Sequence, residues 1–235
     1  CTLHSQLAQA PELLKKPTID PSRDLTPVAS ISTGVGVMVA TKGLPANSFK
    51  ELIALAKKRP VSVGNYGIGS GWQLMVTQLK KLTGAQLDII NYKGTGAMIG
   101  DLLAGHIDIG AGSLLGMSGG LAAGGLKPLL IISGPRSSKL PGVPTWVDEG
   151  INDPIFANLA ECNMLLGPTG LPKDVVDRLA MLVRQSTTES EAVKNVREQL
   201  GSQDTPLTGD ALRQFIAASW PTYQSVTKAV GLKME

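Results

Sequence analysis

Between Val61 and Ile109 one pattern runs twice: a strand-forming segment, a glycine turn, a run of helix-spaced apolar residues, and a glycine stop. The first pass is Val61 to Asn65, the loop Gly67 to Gly71, then Leu74, Met75, Leu79 and Leu82 at helical spacing before Gly84. The second is Leu87 to Tyr92, a turn with Gly94 and Gly96, a helix over Ala97 to Ala104, Gly105, and a further strand at Ile107 to Ile109. Apolar spacing of three and four marks the helices, and glycine past the last turn ends them. Strands alternating with helices in this way predict a parallel sheet with crossover helices, which is α/β architecture.

The flanking sequence extends the pattern. One strand is expected across Ala29 to Thr41, and Ser48 caps a helix running through Lys58. The glycine-rich stretch from Ser113 to Gly125 reads as loop plus a short helix, and Leu129 to Ser133 as a buried strand. Pro135, Pro141 and Pro144 predict an extended surface path from Gly134 to Thr145. The last third is helical: Pro172 to Gln185, about Ser190 to Leu200, and a helix from near Asp210 in which Pro221 predicts a kink or break.

Composition excludes several classes of function. The 22 Lys and Arg against 19 Asp and Glu are scattered, and aromatic residues make up only 4%, so neither a basic stripe nor a base-stacking platform exists. Nucleic acid is therefore not an expected partner. Cys1 and Cys162 are too few and too isolated for a disulfide framework or a zinc site, and the pattern favours a buried thiol at Cys162. No apolar run reaches membrane-span length, so direct membrane insertion is not expected. The chain opens at Cys1 without an initiator Met or a secretory apolar stretch, which reads as a processed or truncated product.

A helix that follows a glycine turn at the end of a parallel strand presents free backbone amides and a positive dipole end, and so suits an anion. Here two such turns, Gly67 to Gly71 with Ser70 and Gly94 to Ala97 with Thr95, are expected on one sheet edge. Glycine lets a carboxylate approach the backbone, and Ser70 and Thr95 can add hydroxyl donors. Ordinary α/β turn chemistry would leave the same residues. Gly94, Thr95, Gly96 resembles the start of a dinucleotide fingerprint, but Ile99 stands where Gly or Ala is required, and no phosphate-loop lysine follows.

Gly116, Met117, Ser118, Gly119, Gly120 matches a hydrolase nucleophile elbow in letters only, because no strong strand precedes it. His4 and His106 are the sole histidines, and His106 is expected exposed at a helix-to-strand turn. Carboxylates such as Asp101, Asp108, Asp148 and Glu149 form no acid and base pair and no metal-ligand set. Neither catalytic residues nor a metal or cofactor is expected.

Six segments in order resemble the tripartite tricarboxylate transporter substrate-binding proteins, the Bug receptors. They are Ile19 to Val28, Tyr66 to Leu74 (YGIGSGWQL), Tyr92 to Asp108 (YKGTGAMIGDLLAGHID), Arg136 to Thr145, Leu165 to Pro172 and Trp220 to Gly231. The resemblance covers nearly the whole chain. It implies an α/β fold of the two-lobed periplasmic binding protein type II, a flytrap with parallel-rich sheets, with lobe I at 1–35 and 160–235 and lobe II at 36–159. Crossing strands would fall near Ile31 to Ala40 and Phe156 to Leu166. Relative to that family the first lobe is incomplete at its N-terminus.

The resemblance further implies a small carboxylate ligand, a dicarboxylate or carboxylated aromatic, captured in an interlobe cleft by amides, hydroxyls and waters. Carried over by position, the ligand-binding residues are Gly69, Ser70, Thr95, Gly96, Ala97 and Ser113, with Ser5 and Gln6 at a turn of the other lobe. Gln73 replaces a usual histidine, Tyr66 a small residue, Ala97 a proline and Cys162 a tryptophan. The implied partners are membrane transporter subunits or a sensor, and the implied location is the periplasm. The rival reading is an α/β enzyme acting on a small acid or nucleotide through Ser118 or His106; a third is a folded fragment that binds nothing.

Overall fold

The computed structural model describes residues 2–32, 35–133, 136–153, 155–156, 162–200 and 205–231. The chain divides into two compact units, Cys1–Gly34 with Asn158–Glu235, and Val35–Ala157.

The second unit is built on a five-stranded sheet. Its strands are β3 (Gly36–Thr41), β4 (Val61–Asn65), β5 (Leu87–Asn91), β6 (Ile109–Ser113) and β7 (Leu126–Ser133), in the spatial order β5-β4-β6-β3-β7. The helices between them are α3 (Phe49–Ala56), α4 (Gly71–Thr83), α5 (Thr95–Ala104) and α6 (Leu114–Ala122). β4 pairs parallel with β5 and β6, while β3 pairs antiparallel with both β6 and β7. Strands β4 to β7 therefore all point one way, as helix crossovers require, and β3 alone runs against them. The sheet is mixed, with four strands in one direction, because β3 inserts between β6 and β7 without a helical crossover leading into it.

Local chemistry accounts for the boundaries. Ser48 caps α3 by accepting the Glu51 amide, and Glu51 returns a bond to the Asn47 amide, so two orphan donors are satisfied. Gly84 and Gly105 end α4 and α5 in the left-handed conformation, which glycine adopts without a Cβ penalty. β6 starts later than expected because Asp108 serves as a bracket. Its carboxylate accepts the Ser62 amide and hydroxyl, and its own amide donates to Ser62 Oγ. The glycine-rich segment after Ser113 is more regular than anticipated: α6 buries Leu114, Met117 and Gly120. β7 begins at Leu126 and tolerates Pro128 because it is an edge strand with a register shift beside that residue. Residues 136–143 make turns rather than an extended run.

One face of this sheet is closed by α5 and α6. Val37, Val39 and Ile131 pack there with Met98, Leu102, Leu114 and Met117. Helices approach the sheet closely where it carries glycine: a Cβ at Gly64 would stand 2.6 Å from Met98 Cγ, and one at Gly110 would stand 2.9 Å from Leu102 Cδ1.

The other unit holds β1 (Thr2–Leu3), α1 (His4–Leu13), α2 (Pro21–Asp24), β2 (Leu25–Ser32), β8 (Asn163–Pro168), α7 (Lys173–Glu189), α8 (Glu191–Leu200) and α9 (Gly209–Val230). Its sheet is antiparallel in the order β1-β8-β2. The single strand expected across Ala29 to Thr41 is in fact two, β2 and β3, which belong to different sheets. α9 passes Pro221 as one continuous helix, so no break forms there. Cys162 is buried and in no disulfide among the described residues, and Cys1 lies outside them. No helix among the described residues is long and apolar enough to cross a membrane.

Candidate functional site

Because β4, β5 and β6 run parallel, their C-terminal ends fall on one edge of the sheet, and α4, α5 and α6 start there. From β4 the chain moves outward to β5, whereas from β6 it moves the opposite way to β7. β4 and β6 are thus neighbours at a topological switch point, where the connections leave a crevice beyond the strand ends.

The two glycine turns are adjacent and stitched together. The Tyr92 amide donates to the Asn65 carbonyl at 2.8 Å, and the Gly94 amide to the Tyr66 carbonyl at 3.1 Å. Asn65 adds a side-chain link, Nδ2 to Asn91 Oδ1 at 2.8 Å. Ser113 joins them from β6. The Thr95 methyl group lies 3.2 Å from where a Cβ at Gly112 would be, and 3.9 Å from one at Gly116. Gly69, Ser70, Thr95, Gly96, Ala97 and Ser113 therefore share one sheet edge. Ser5 and Gln6 belong to the other unit, where they occupy the first turn of α1 rather than a turn between elements, with Ser5 fully buried.

The three helix starts differ in how much hydrogen-bonding capacity remains. At α4, Ser70 Oγ accepts the Gln73 amide at 3.2 Å and donates its own proton to Asn65 Oδ1 at 2.7 Å. The Gly69 amide donates to Gln73 Oε1 at 2.8 Å. Both residues singled out on this turn are internally committed, and Ser70 is buried. At α6, Ser113 Oγ accepts the Gly116 amide at 3.2 Å but keeps its proton, and the side chain is exposed. At α5 the N-cap is Gly94, no side chain caps the helix, and the Thr95, Gly96 and Ala97 amides find no partner among the described residues. Among the described residues nothing stands within 4 Å of a Cβ placed at Gly94 or Gly96. The open donors at this edge therefore include the α5 amides, Thr95 Oγ1 and Ser113 Oγ, an arrangement that accommodates an anion.

Residues the sequence reading passed over hold this edge in shape. Asn65 was signalled only by being polar at the end of a buried strand. Tyr92 Oη donates to Asp101 Oδ2 at 2.6 Å, pinning the loop before α5 to the helix that follows. Burial, with the Asp101 carboxylate beside it, raises the Tyr92 hydroxyl to about 12, and that hydrogen bond lowers Asp101 in turn. Asp101 also meets the exposed His106 ring at 3.2 Å.

The serine of the enzyme reading does not sit on a nucleophile elbow. Gly116 to Gly120 lies inside α6 instead of on a strand-to-helix turn, and Ser118 Oγ donates to the Leu115 carbonyl of its own helix at 2.7 Å. Among the described residues no group of three His, Cys, Asp or Glu side chains is placed to hold a metal ion.

Comparison with known proteins identifies the family and the fold. A family model described as the tripartite tricarboxylate transporter family receptor matches residues 2–232. Protein BugT of Bordetella pertussis is 29% identical over 221 residues, covering 90% of this chain and 64% of BugT, so the chain spans just under two thirds of that relative's length. The structure of the periplasmic binding protein BugD aligns with a TM-score of 0.86 at 26% identity, over 98% of this chain and 77% of BugD. A structure of R. palustris Rpa4515 with adipate aligns with a TM-score of 0.87 at 24% identity, over 99% of this chain and 78% of that one, a likeness of fold.

Proposed function

This chain belongs to the tripartite tricarboxylate transporter family of receptors, and on that premise we propose that it captures a small carboxylate at the edge where α4, α5 and α6 begin. The observation that carries the reading is the contrast between the serine-capped start of α4 and the uncapped start of α5. Backbone amides left without partners at a helix N-terminus, beside a glycine that admits close approach, supply both the dipole and the donors that a carboxylate takes up. Ser113 and Thr95 add hydroxyl donors from two sides.

The ligand class proposed is a dicarboxylate or a carboxylated aromatic acid, and adipate on the similarly folded Rpa4515 supports that choice. The receptor would act outside the cytoplasmic membrane and pass its ligand to transporter subunits or to a sensor, as the family description and the periplasmic BugD suggest. Calorimetry with malate, adipate and benzoate on wild type and Gly96→Val tests the proposal. Position 96 is open, so valine leaves the fold intact and blocks the approach to the amides. Binding of at least one acid, lost in Gly96→Val at unchanged melting temperature, is expected; equal binding by both proteins would remove α5 from the site.

A further inference from the structure

We infer that Gln73, rather than Ser70, is the ligand-facing donor of the first turn of α4, and that its side-chain nitrogen helps select for a carboxylate. The inference rests on the receptor reading above and deepens it.

Gln73 is only 6% exposed, yet its amide group is half used. Oε1 accepts the Gly69 N–H at 2.8 Å. A backbone N–H can bond only the oxygen of a glutamine amide, so this contact fixes which way the group faces and turns Nε2 away from Gly69. Nε2 finds no partner among the described residues, and it is not one of the enclosed, unbonded polar atoms such as His4 Nε2. Two N–H bonds on a nearly buried side chain thus remain free and accessible at the helix start, where buried donors ordinarily are matched.

The other side-chain donors on this turn, and the Gly69 amide, are used up. The Ser70 proton goes to Asn65, its lone pair takes the Gln73 amide, and the Gly69 amide goes to Gln73 itself. Trp72 Nε1 donates to the Gly64 carbonyl at 2.9 Å. Gln73 Nε2 is the side-chain donor that the first turn of α4 offers an incoming group. A neutral amide nitrogen donates without being able to accept, so it favours a carboxylate oxygen and does so without titrating.

The test is Gln73→Glu, measured by calorimetry against malate, adipate and benzoate. Glutamate can still accept the Gly69 N–H, so the turn is retained, but its second oxygen now faces the ligand with negative charge. Wild type should bind at least one acid, and Gln73→Glu should bind it at least about tenfold more weakly near neutral pH with an unchanged melting temperature. The deficit relative to wild type should shrink as the pH is lowered toward about 5, where protonation of the carboxylate restores a donor. A purely structural role would not produce that recovery. If Gln73→Glu does not fold, Gln73→Asn, whose shorter amide cannot hold both positions, should show the same loss. Binding by either folded variant within about twofold of wild type overturns the inference while leaving the receptor reading standing. Failure of folded wild type to bind any of the three acids overturns both.

Discussion

Asn65 Oδ1 accepts the Ser70 hydroxyl at 2.7 Å, while Asn65 Nδ2 donates to the Gly67 carbonyl at 2.9 Å and to Asn91 Oδ1 at 2.8 Å. One side chain, 1% exposed, thereby ties the end of β4 to its own glycine loop, to the cap of α4 and to the end of β5. Removing it leaves buried partners unmatched, at about 1–3 kcal/mol for each group. Asn65→Ala is expected to lower unfolding stability by about 2–3 kcal/mol in urea titration with an unchanged slope. A loss well below about 1 kcal/mol would show that the loop does not depend on this link.

Gly94 and Gly96 are two residues apart and should respond differently to alanine. Gly94 has φ +105 and ψ 171, a conformation closed to other residues, though a Cβ there would touch nothing. Gly94→Ala should cost about 1–3 kcal/mol through backbone strain alone. Gly96, at an ordinary helical φ and equally unobstructed, should tolerate alanine with a change within about 1 kcal/mol. Thermal melts of both variants check this, and equal losses would contradict it.

At Gly64 the limit is space. An added Cβ would stand 2.6 Å from Met98 Cγ and 2.7 Å from Ile107 Cδ1, so Gly64→Ala should destabilise by about 1–3 kcal/mol. Met98→Ala empties the same volume and costs stability by itself. The double variant should be more stable than the two losses summed predict, a coupling that a double-mutant cycle measures directly. Strict additivity would place the clash elsewhere.

His4 makes the 1–34 and 158–235 unit sensitive to acid. Burial drives its ring down to about 4 from the usual 6.5, and Nδ1 accepts the Cys162 amide at 3.1 Å, a bond that only the unprotonated nitrogen can make. Phe215 and Tyr223 pack against the ring at 5.3 and 5.2 Å. The unfolded chain binds a proton below pH 6.5 that the folded one refuses until about 4. This contribution is therefore complete above 6.5 and is lost as pH falls through that window, by about 3 kcal/mol in all. Urea titrations between those limits should show a steeper acid loss in wild type than in His4→Asn, whose Oδ1 can accept an amide but does not titrate. Parallel slopes would exclude His4 as the cause.

Much of this architecture could be read from the chain because it depends on short-range rules. Ser48, Gly84 and Gly105 act within a turn of their own helices, and the strand, glycine turn and helix succession implies parallel strands with their helix starts at one edge. The six ordered motifs carried the family. Hidden from that reading were β3's opposed direction and the split of one apolar run into β2 and β3, since strand direction depends on which partners a strand meets.

The sequence by itself determined that glycine turns would bring helix N-termini to the ends of adjacent strands, because backbone conformation and apolar spacing are properties of neighbouring residues. Only the tertiary structure decided which of those ends stays open. Ser70 and Ser113 are the same residue in the same capping position, but Asn65, five residues before Ser70 on a buried strand, takes one hydroxyl proton, and no described residue takes the other. A hydrogen bond consumes a donor only when folding puts an acceptor within reach. That placement belongs to the packed sheet and cannot be assigned to any single segment.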